Sequence, residues 1–464
     1  RGNRSSMRPP RAHALAAAAT TTGTRTARLR TRTILARCGR MRRRAFLKAA
    51  ATGLAGLAAG PLEAAGDAPD LLYNGIRLPR VWPPPLRSLT NVPRTPPYLL
   101  DPPEVVPIDV GRQLFVDDFL VARTTLTRTF HQAVYAPGNP VLTPVTDVEQ
   151  HDDLADRTGM PPSPTAMAFS DAVLFDPADR LYKMWYMAGY QQHTALAISR
   201  DGISWTRPSL PVIPGTNIVV PGGRDSSTVW LDLDAVPSER YKMAAYDLER
   251  KALRLRVSAD GVRWKEAGQS GVCGDRSTFF RNPFRGVWCF SLRADRPGSL
   301  IRYRRYIESR DFAATSWADD APVAWAGADS ADLERADLNT PPQLYNVDAV
   351  AYESVLLGLF TIYRGERPDR EKPNDLCVAF SRDGFHWTRD SRDPFIGVSE
   401  QPGAWNWGNV QSAGGGCVIA GDSLYFYVSG RSGIPGTALP GRCSTGLAVL
   451  RRDGFASLTD QFPQ

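Results

Sequence analysis

The sequence predicts an all-β fold, a five-bladed β-propeller of four-stranded antiparallel blades, and three observations predict it. A seven-residue turn recurs along the body of the chain, and the same strand-like runs precede its copies. In addition, 39 Gly and 38 Pro in 464 residues suit a loop-rich β architecture better than a helical bundle. With 42% apolar and 9% aromatic residues, the chain has enough core-forming material to exclude wholesale disorder.

The turn is Ser199-Arg-Asp-Gly-Ile-Ser-Trp205, repeated as Ser258-Ala-Asp-Gly-Val-Arg-Trp264 and Ser381-Arg-Asp-Gly-Phe-His-Trp387. Degenerate copies run from Ser309 to Trp317 and from Arg451 to Phe455. Their starts lie 59, 51, 72 and 70 residues apart, which makes five units. Ahead of the copies come β runs such as Ala195 to Ile198, Leu253 to Val257 and Leu376 to Phe380, and before those an aromatic run such as Tyr182-Lys-Met-Trp-Tyr-Met187. Earlier still is a strand ending in a tight turn, as in Ala172 to Pro177 and Thr278 to Pro283. Each unit therefore reads strand, hairpin, strand, loop, strand, turn, strand. In the turn, Ser and Asp oxygens accept from backbone N–H groups and Gly takes the positive φ. The Trp then supplies an apolar face between units. A separate sandwich of ~60 residues would bury too little by itself, whereas radial repetition leaves few exposed edges.

Around this body the chain divides into residues 1–40, 41–66, 67–106 and 107–464. Pro107 to Val116 is expected to close the ring onto the last blade. Asp67 to Pro103, rich in Pro, is expected either to wrap the surface or to be flexible.

The formal charge of +8 is concentrated at one end. Residues 1–66 hold 14 Arg/Lys and one acid, Glu63, leaving 42 basic and 47 acidic residues in the remainder. A mildly acidic body excludes nucleic acid as a partner. The chain opens on Arg1, and residues 1–40 read either as translation upstream of a start at Met41 or as a disordered arm. Arg43-Arg44-Ala45-Phe46-Leu47-Lys48 resembles a twin-arginine signal. An Ala/Gly/Leu stretch (Ala49 to Leu62) and the small residues Ala64-Ala65-Gly66 follow it. The twin-arginine export machinery is thus an expected partner, and the expected location is periplasmic or extracellular. The stretch is too short to span a bilayer, and no other segment reaches ~18 consecutive apolar residues, so no membrane span is expected in the mature protein. Six Cys without a C-x-x-C pair and five scattered His give no metal site, no cofactor and no disulfide framework.

The repeated turn, the segment Asn139-Pro-Val-Leu-Thr-Pro144 before the first unit, and an acidic residue near the start of each early inner strand together resemble the five-bladed-propeller glycoside hydrolases. These are the invertase/levanase, arabinanase/xylosidase and mannosyl-phosphorylase families. The resemblance implies an exported glycosidase with an oligo- or polysaccharide substrate. The invertase W-M-N-D-P-N-G signature is absent.

Inner strands of a propeller begin around the mouth of a central funnel. Four carboxylates align there: Asp171, Asp225, Asp275 and Asp348. Glycoside hydrolysis needs two carboxyl groups, one protonated and one ionised, and crowding acids raises the pKa of at least one. By family logic Asp171 is the base or nucleophile, and Asp225, preceded by Arg224, stabilises the transition state. Asp275 with Arg276, and Asp348, bind hydroxyls or tune pKa. Glu400 and Glu149 compete as general acid. The fifth blade offers Trp405 and Trp407 for stacking on sugar rings, with Asn409 and Gln411 as polar contacts. Two alternatives stay open: a non-catalytic carbohydrate-binding propeller, and a glycoside phosphorylase holding phosphate on Arg224, Arg276 and Arg293.

Overall fold

The recurring turns close as their chemistry dictates. In the computed structural model, which describes residues 70–460 except 371, Ser199 Oγ accepts from the Gly202 amide at 2.9 Å and Asp201 Oδ1 accepts from Ile203 and Ser204 at 2.8 Å, with Gly202 at φ 76. Ser258/Asp260 and Ser381/Asp383 repeat this geometry. The leader and its signal-like Arg pair lie outside the described residues.

Five antiparallel blades follow in chain order. Blade I has a split inner strand, Ala166–Met167 and Val173–Asp176, then Leu181–Ala188, His193–Ser199 and Ile218–Val220. Blade II is Ser227–Leu231, Tyr241–Asp247, Ala252–Ser258 and Lys265–Val272; blade III is Thr278–Asn282, Val287–Asp295, Arg302–Ser309 and Val323–Ala326. Blade IV has three strands, Gln343–Tyr352, Val355–Tyr363 and Asn374–Ser381, with Ile396 bridging Leu376 where a fourth would run. Blade V comprises Asn409–Ser412 with Val418–Ala420, then Ser423–Arg431 and Cys443–Arg451. Strands Val355–Tyr363 and Asn374–Ser381 are buried at every position, because a blade in a ring has a neighbour on both faces.

The turn of each blade seats on the blade before it. Trp185 of blade I donates its indole N–H to the Gly261 carbonyl of blade II at 2.9 Å. Trp325 of blade III reaches the Phe385 carbonyl of blade IV at 2.7 Å, and Tyr427 of blade V reaches Gly202 of blade I at 2.6 Å. Phe312 packs among blade II residues such as Leu253 and Leu255, and Phe455 packs on Tyr352 of blade IV.

Ring closure falls elsewhere than on Pro107 to Val116. Val134–Tyr135 pairs with Cys443–Arg451, and Thr127–Phe130 pairs with Ala456–Thr459. Residues 107–116 form no strand: Gly111 turns the chain at φ 65 against Glu353, while Leu114 and Val116 plug the apolar cluster between blades IV and V with Leu357 and Phe426. Further upstream, Leu72, Ile76, Leu78 and Tyr98 pack around Phe119, and the Leu86 carbonyl accepts from Ala324 at the outer edge of blade III.

Trp405 belongs to this packing rather than to a sugar-binding surface. Its ring lies over Gly430 and Gly446, where an added Cβ would meet it at 2.4 and 2.1 Å, and its edge meets Tyr135 of the closing strand at 5.5 Å. Gly446→Ala should therefore cost ~1–3 kcal/mol through overpacking. Urea unfolding measures it; a variant as stable as wild type would contradict this role for the ring.

Candidate active site

The five inner strands bring a small set of side chains to one end of the axis. There a cavity of about 140 Å³ is walled by Phe169, Asp225, Asp275, Arg276, Tyr345 and Arg431, among others. Two larger clefts lie off the axis. One of about 600 Å³ gathers Asp232 and Asp234, which follow the end of the inner strand Ser227–Leu231, so it opens at the opposite end from Asp225. The other, about 380 Å³, runs under Leu86 to Leu99.

Asp171 is fully buried and does not wall the cavity. Both of its oxygens are taken by the Arg224 guanidinium, at 2.8 and 3.0 Å, and the Phe169 amide adds a bond at 3.0 Å. Burial pushes its carboxyl up while Arg224 pulls it down. Arg224 in turn donates to the backbone carbonyl of Asp225 at 2.9 Å. The pair thus ties the bulge at Ser170, a non-glycine residue at φ 59, to the loop that carries Asp225.

Asp225, half-buried, is the cavity end of that clamp. Among the described residues its Oδ1 is buried without a hydrogen-bond partner, and burial followed by the negative charge of Asp275 raises its pKa from the ordinary aspartate value. Asp275 is salt-bridged to Arg293. Arg276, also in the left-handed region at φ 56, lays its guanidinium 3.6 Å from the centre of the Phe169 ring. Burial and then the Arg276 charge bring the neighbouring Arg304 down to about 9.

Asp348 sits deeper than a strand start. Its strand begins at Gln343, so Tyr345 reaches the cavity instead. The Asp348 carboxylate accepts from Ser412 at 2.5 Å and Asn346 at 2.8 Å in the channel between blades IV and V, and burial raises it to about 6. On blade V, Asn409 donates to the Lys372 carbonyl at 2.8 Å and accepts from Gln411 at 2.7 Å. Trp407 lies under the Arg370 guanidinium, 5.5 Å from its centre.

Neither expected general acid suits that role. Glu400 is clamped by Arg335 and Arg370, which hold it down at about 2, the opposite of what a proton donor needs. Glu149 is fully buried and saturated: it caps its own helical turn with Thr146, and its Oε1 accepts from Tyr186 and Arg207, both at 2.7 Å. A carboxylate three residues after Thr is a capping box, a signal that explains Glu149 without catalysis. Among the described residues, one group offers a metal its ligands: His151, Asp153 and Asp156, all exposed, with ligand atoms within 4.8 Å of one another. It lies outside the cavity wall.

The sequence reading passed over Phe169, Tyr345 and Arg431. Arg431 ends the second strand of blade V, 5.4 Å from the Phe169 ring. Second strands run antiparallel to inner strands, so their last residues return to the mouth, as Met187 and Arg293 also do.

No family model matches the chain, and no curated protein matches it. Several solved structures resemble it in fold. An N-acetylgalactosamine deacetylase from F. plautii is 16% identical, with a TM-score of 0.45 over 71% of this chain and 96% of that one. A thermostable family-43 glycoside hydrolase is 11% identical, with a TM-score of 0.44 over 64% and 95%. A member of the GH130 family of mannoside phosphorylases and glycoside hydrolases is 14% identical, with a TM-score of 0.45 over 72% and 98%.

The Asp348 shift carries a pH signature. With a folded pKa of about 6 against 3.8 for the free group, the native state holds the proton more tightly. Its contribution to stability is present below pH 4 and is lost as pH rises through 6, by up to ~3 kcal/mol. Asp348→Asn should therefore gain melting temperature relative to wild type between pH 4.5 and pH 7. A difference that stays constant across that range would contradict the shift.

Proposed function

We propose that this chain is a glycosidase that cleaves glycosidic bonds of an oligo- or polysaccharide in the funnel, with Asp225 as general acid and Asp275 as the second carboxyl group. One observation carries the reading: Asp225, with a buried carboxylate oxygen that has no hydrogen-bond partner among the described residues, walls a cavity together with Asp275. A general acid must hold its proton more tightly than an ordinary carboxyl, and burial followed by the negative charge of Asp275 shifts Asp225 in that direction. Asp275, anchored by Arg293, is the second carboxyl group of the pair that such chemistry requires. Asp171 acts through Arg224 as a positioning residue, since both of its oxygens are occupied.

Hydrolysis of a glycan panel by the purified full chain tests this. Asp225→Asn and Asp275→Asn should each lower kcat by ~10²–10⁴-fold. Glu400→Gln, on the Arg335/Arg370 clamp, should stay within about twofold of wild type, as expected for a group outside the chemistry. Binding without turnover in every variant and in wild type would favour a carbohydrate-binding propeller instead.

Export belongs to the same proposal, on the Arg43-Arg44 pair and the Ala/Gly/Leu stretch behind it. Replacing Arg43 and Arg44 together by Lys should retain the protein in the cytosol of a bacterium with a twin-arginine system. Unchanged export would overturn that part.

A further inference from the structure

The buried arginines of this protein are paired as a rule. Arg224 is held by Asp171, Arg382 by Asp117 at 2.8 Å, and Arg389 by Asp332. Arg304, whose bond is to a backbone carbonyl, departs from the rule, and Arg276 breaks it completely. Arg276 is 2% exposed, and none of its three guanidinium nitrogens has a hydrogen-bond partner among the described residues. A buried guanidinium with five unused N–H donors is among the costliest groups a protein can retain. It is nonetheless held in place, over Phe169 on one side and 6.0 Å from the Tyr345 ring on another, by a backbone in the left-handed region. Strain of that kind persists where the surroundings fix it and clusters at ligand sites.

The charges around it point the same way. Arg276, Lys372 and Arg431 all wall the cavity, with Arg304 buried behind them and donating to the Arg276 carbonyl at 2.8 Å. Asp225 and Asp275 wall the cavity too, and Asp275 is already bridged to Arg293. A neutral sugar offers hydroxyls, which leave the partnerless charge of Arg276 uncompensated. A carboxylate or sulfate oxyanion matches the guanidinium fork with two parallel, charge-assisted hydrogen bonds.

We infer that the substrate sugar carries an oxyanion, a uronate carboxylate or a sulfate ester, that seats on Arg276 at the floor of the funnel. The inference rests on the glycosidase reading for its substrate class, but binding tests it without turnover. Affinity of the full chain is measured for matched pairs: polygalacturonate against its methyl ester, and a sulfated galactan against the same polymer desulfated. The acidic member of at least one pair should bind tenfold or more tightly, and which pair responds identifies the oxyanion. That preference should weaken with added salt and disappear in Arg276→Met. Arg276→Lys keeps the charge without the fork and should fall between, which separates loss of recognition from loss of fold.

Acidic glycans bound but not cleaved would support the oxyanion site while defeating the glycosidase reading. Neutral glycans cleaved equally by wild type and Arg276→Met would overturn the oxyanion site alone. Cleavage that requires inorganic phosphate and yields a sugar 1-phosphate would also overturn it, by making the anion a co-substrate.

Discussion

A hydrogen bond from one blade to a carbonyl inside the next blade's turn fixes the ring. Trp185 to Gly261, Trp325 to Phe385 and Tyr427 to Gly202 each join two blades, and the last of these joins blade V to blade I. The Ser and Asp side chains of each full turn consume its amides, so the carbonyl is left as the acceptor that a neighbour can reach. With three junctions held this way, Phe312 and Phe455 packing at the other two and Val134–Tyr135 sealing blade V, the inner strands must converge.

Convergence then sets the electrostatic problem. Polar residues at equivalent strand starts are driven into one small buried volume, where an unpaired charge is expensive. The chain settles most of these charges in pairs, and the Asp171–Arg224 pair shows the structural use: it locks the blade I bulge to the backbone of Asp225. Among the described residues, Asp225 Oδ1 and the whole Arg276 guanidinium are left without hydrogen-bond partners, and both residues wall the same cavity. In a fold that pairs most of its buried charges, a carboxyl and a guanidinium left open on one cavity wall point to where a ligand completes the network.

The architecture was legible because it repeats. Ser, Asp, Gly and Trp recur at fixed offsets, and each has a local reason to do so, so one unit predicts the others. Asp225, Asp275 and Arg276 were legible for the same reason, as residues just ahead of inner strands. Asp348 was misplaced because its strand starts five residues earlier than its acidic residue suggests, a register that only the pairing of Gln343 with Tyr363 reveals. Glu400 and Glu149 failed for a different reason. Their arginine partners, Arg335, Arg370 and Arg207, are 30 to 65 residues away in sequence, and distant pairing leaves no local trace. Trp405 was read as a sugar platform because it lies outside the turn motif, yet Gly430 and Gly446 beneath it form the matching hollow.

Burial, reinforced by the negative charge of Asp275 beside it, raises the Asp225 carboxyl from its ordinary value and favours its protonated form. Carbon-13 NMR of the aspartate carboxyl groups, assigned through Asp225→Asn, follows that proton directly. The account predicts an Asp225 titration above the ordinary aspartate range that moves down when Asp275 is replaced by Asn. An Asp225 carboxyl that titrates as a free aspartate, indifferent to Asp275→Asn, would contradict it.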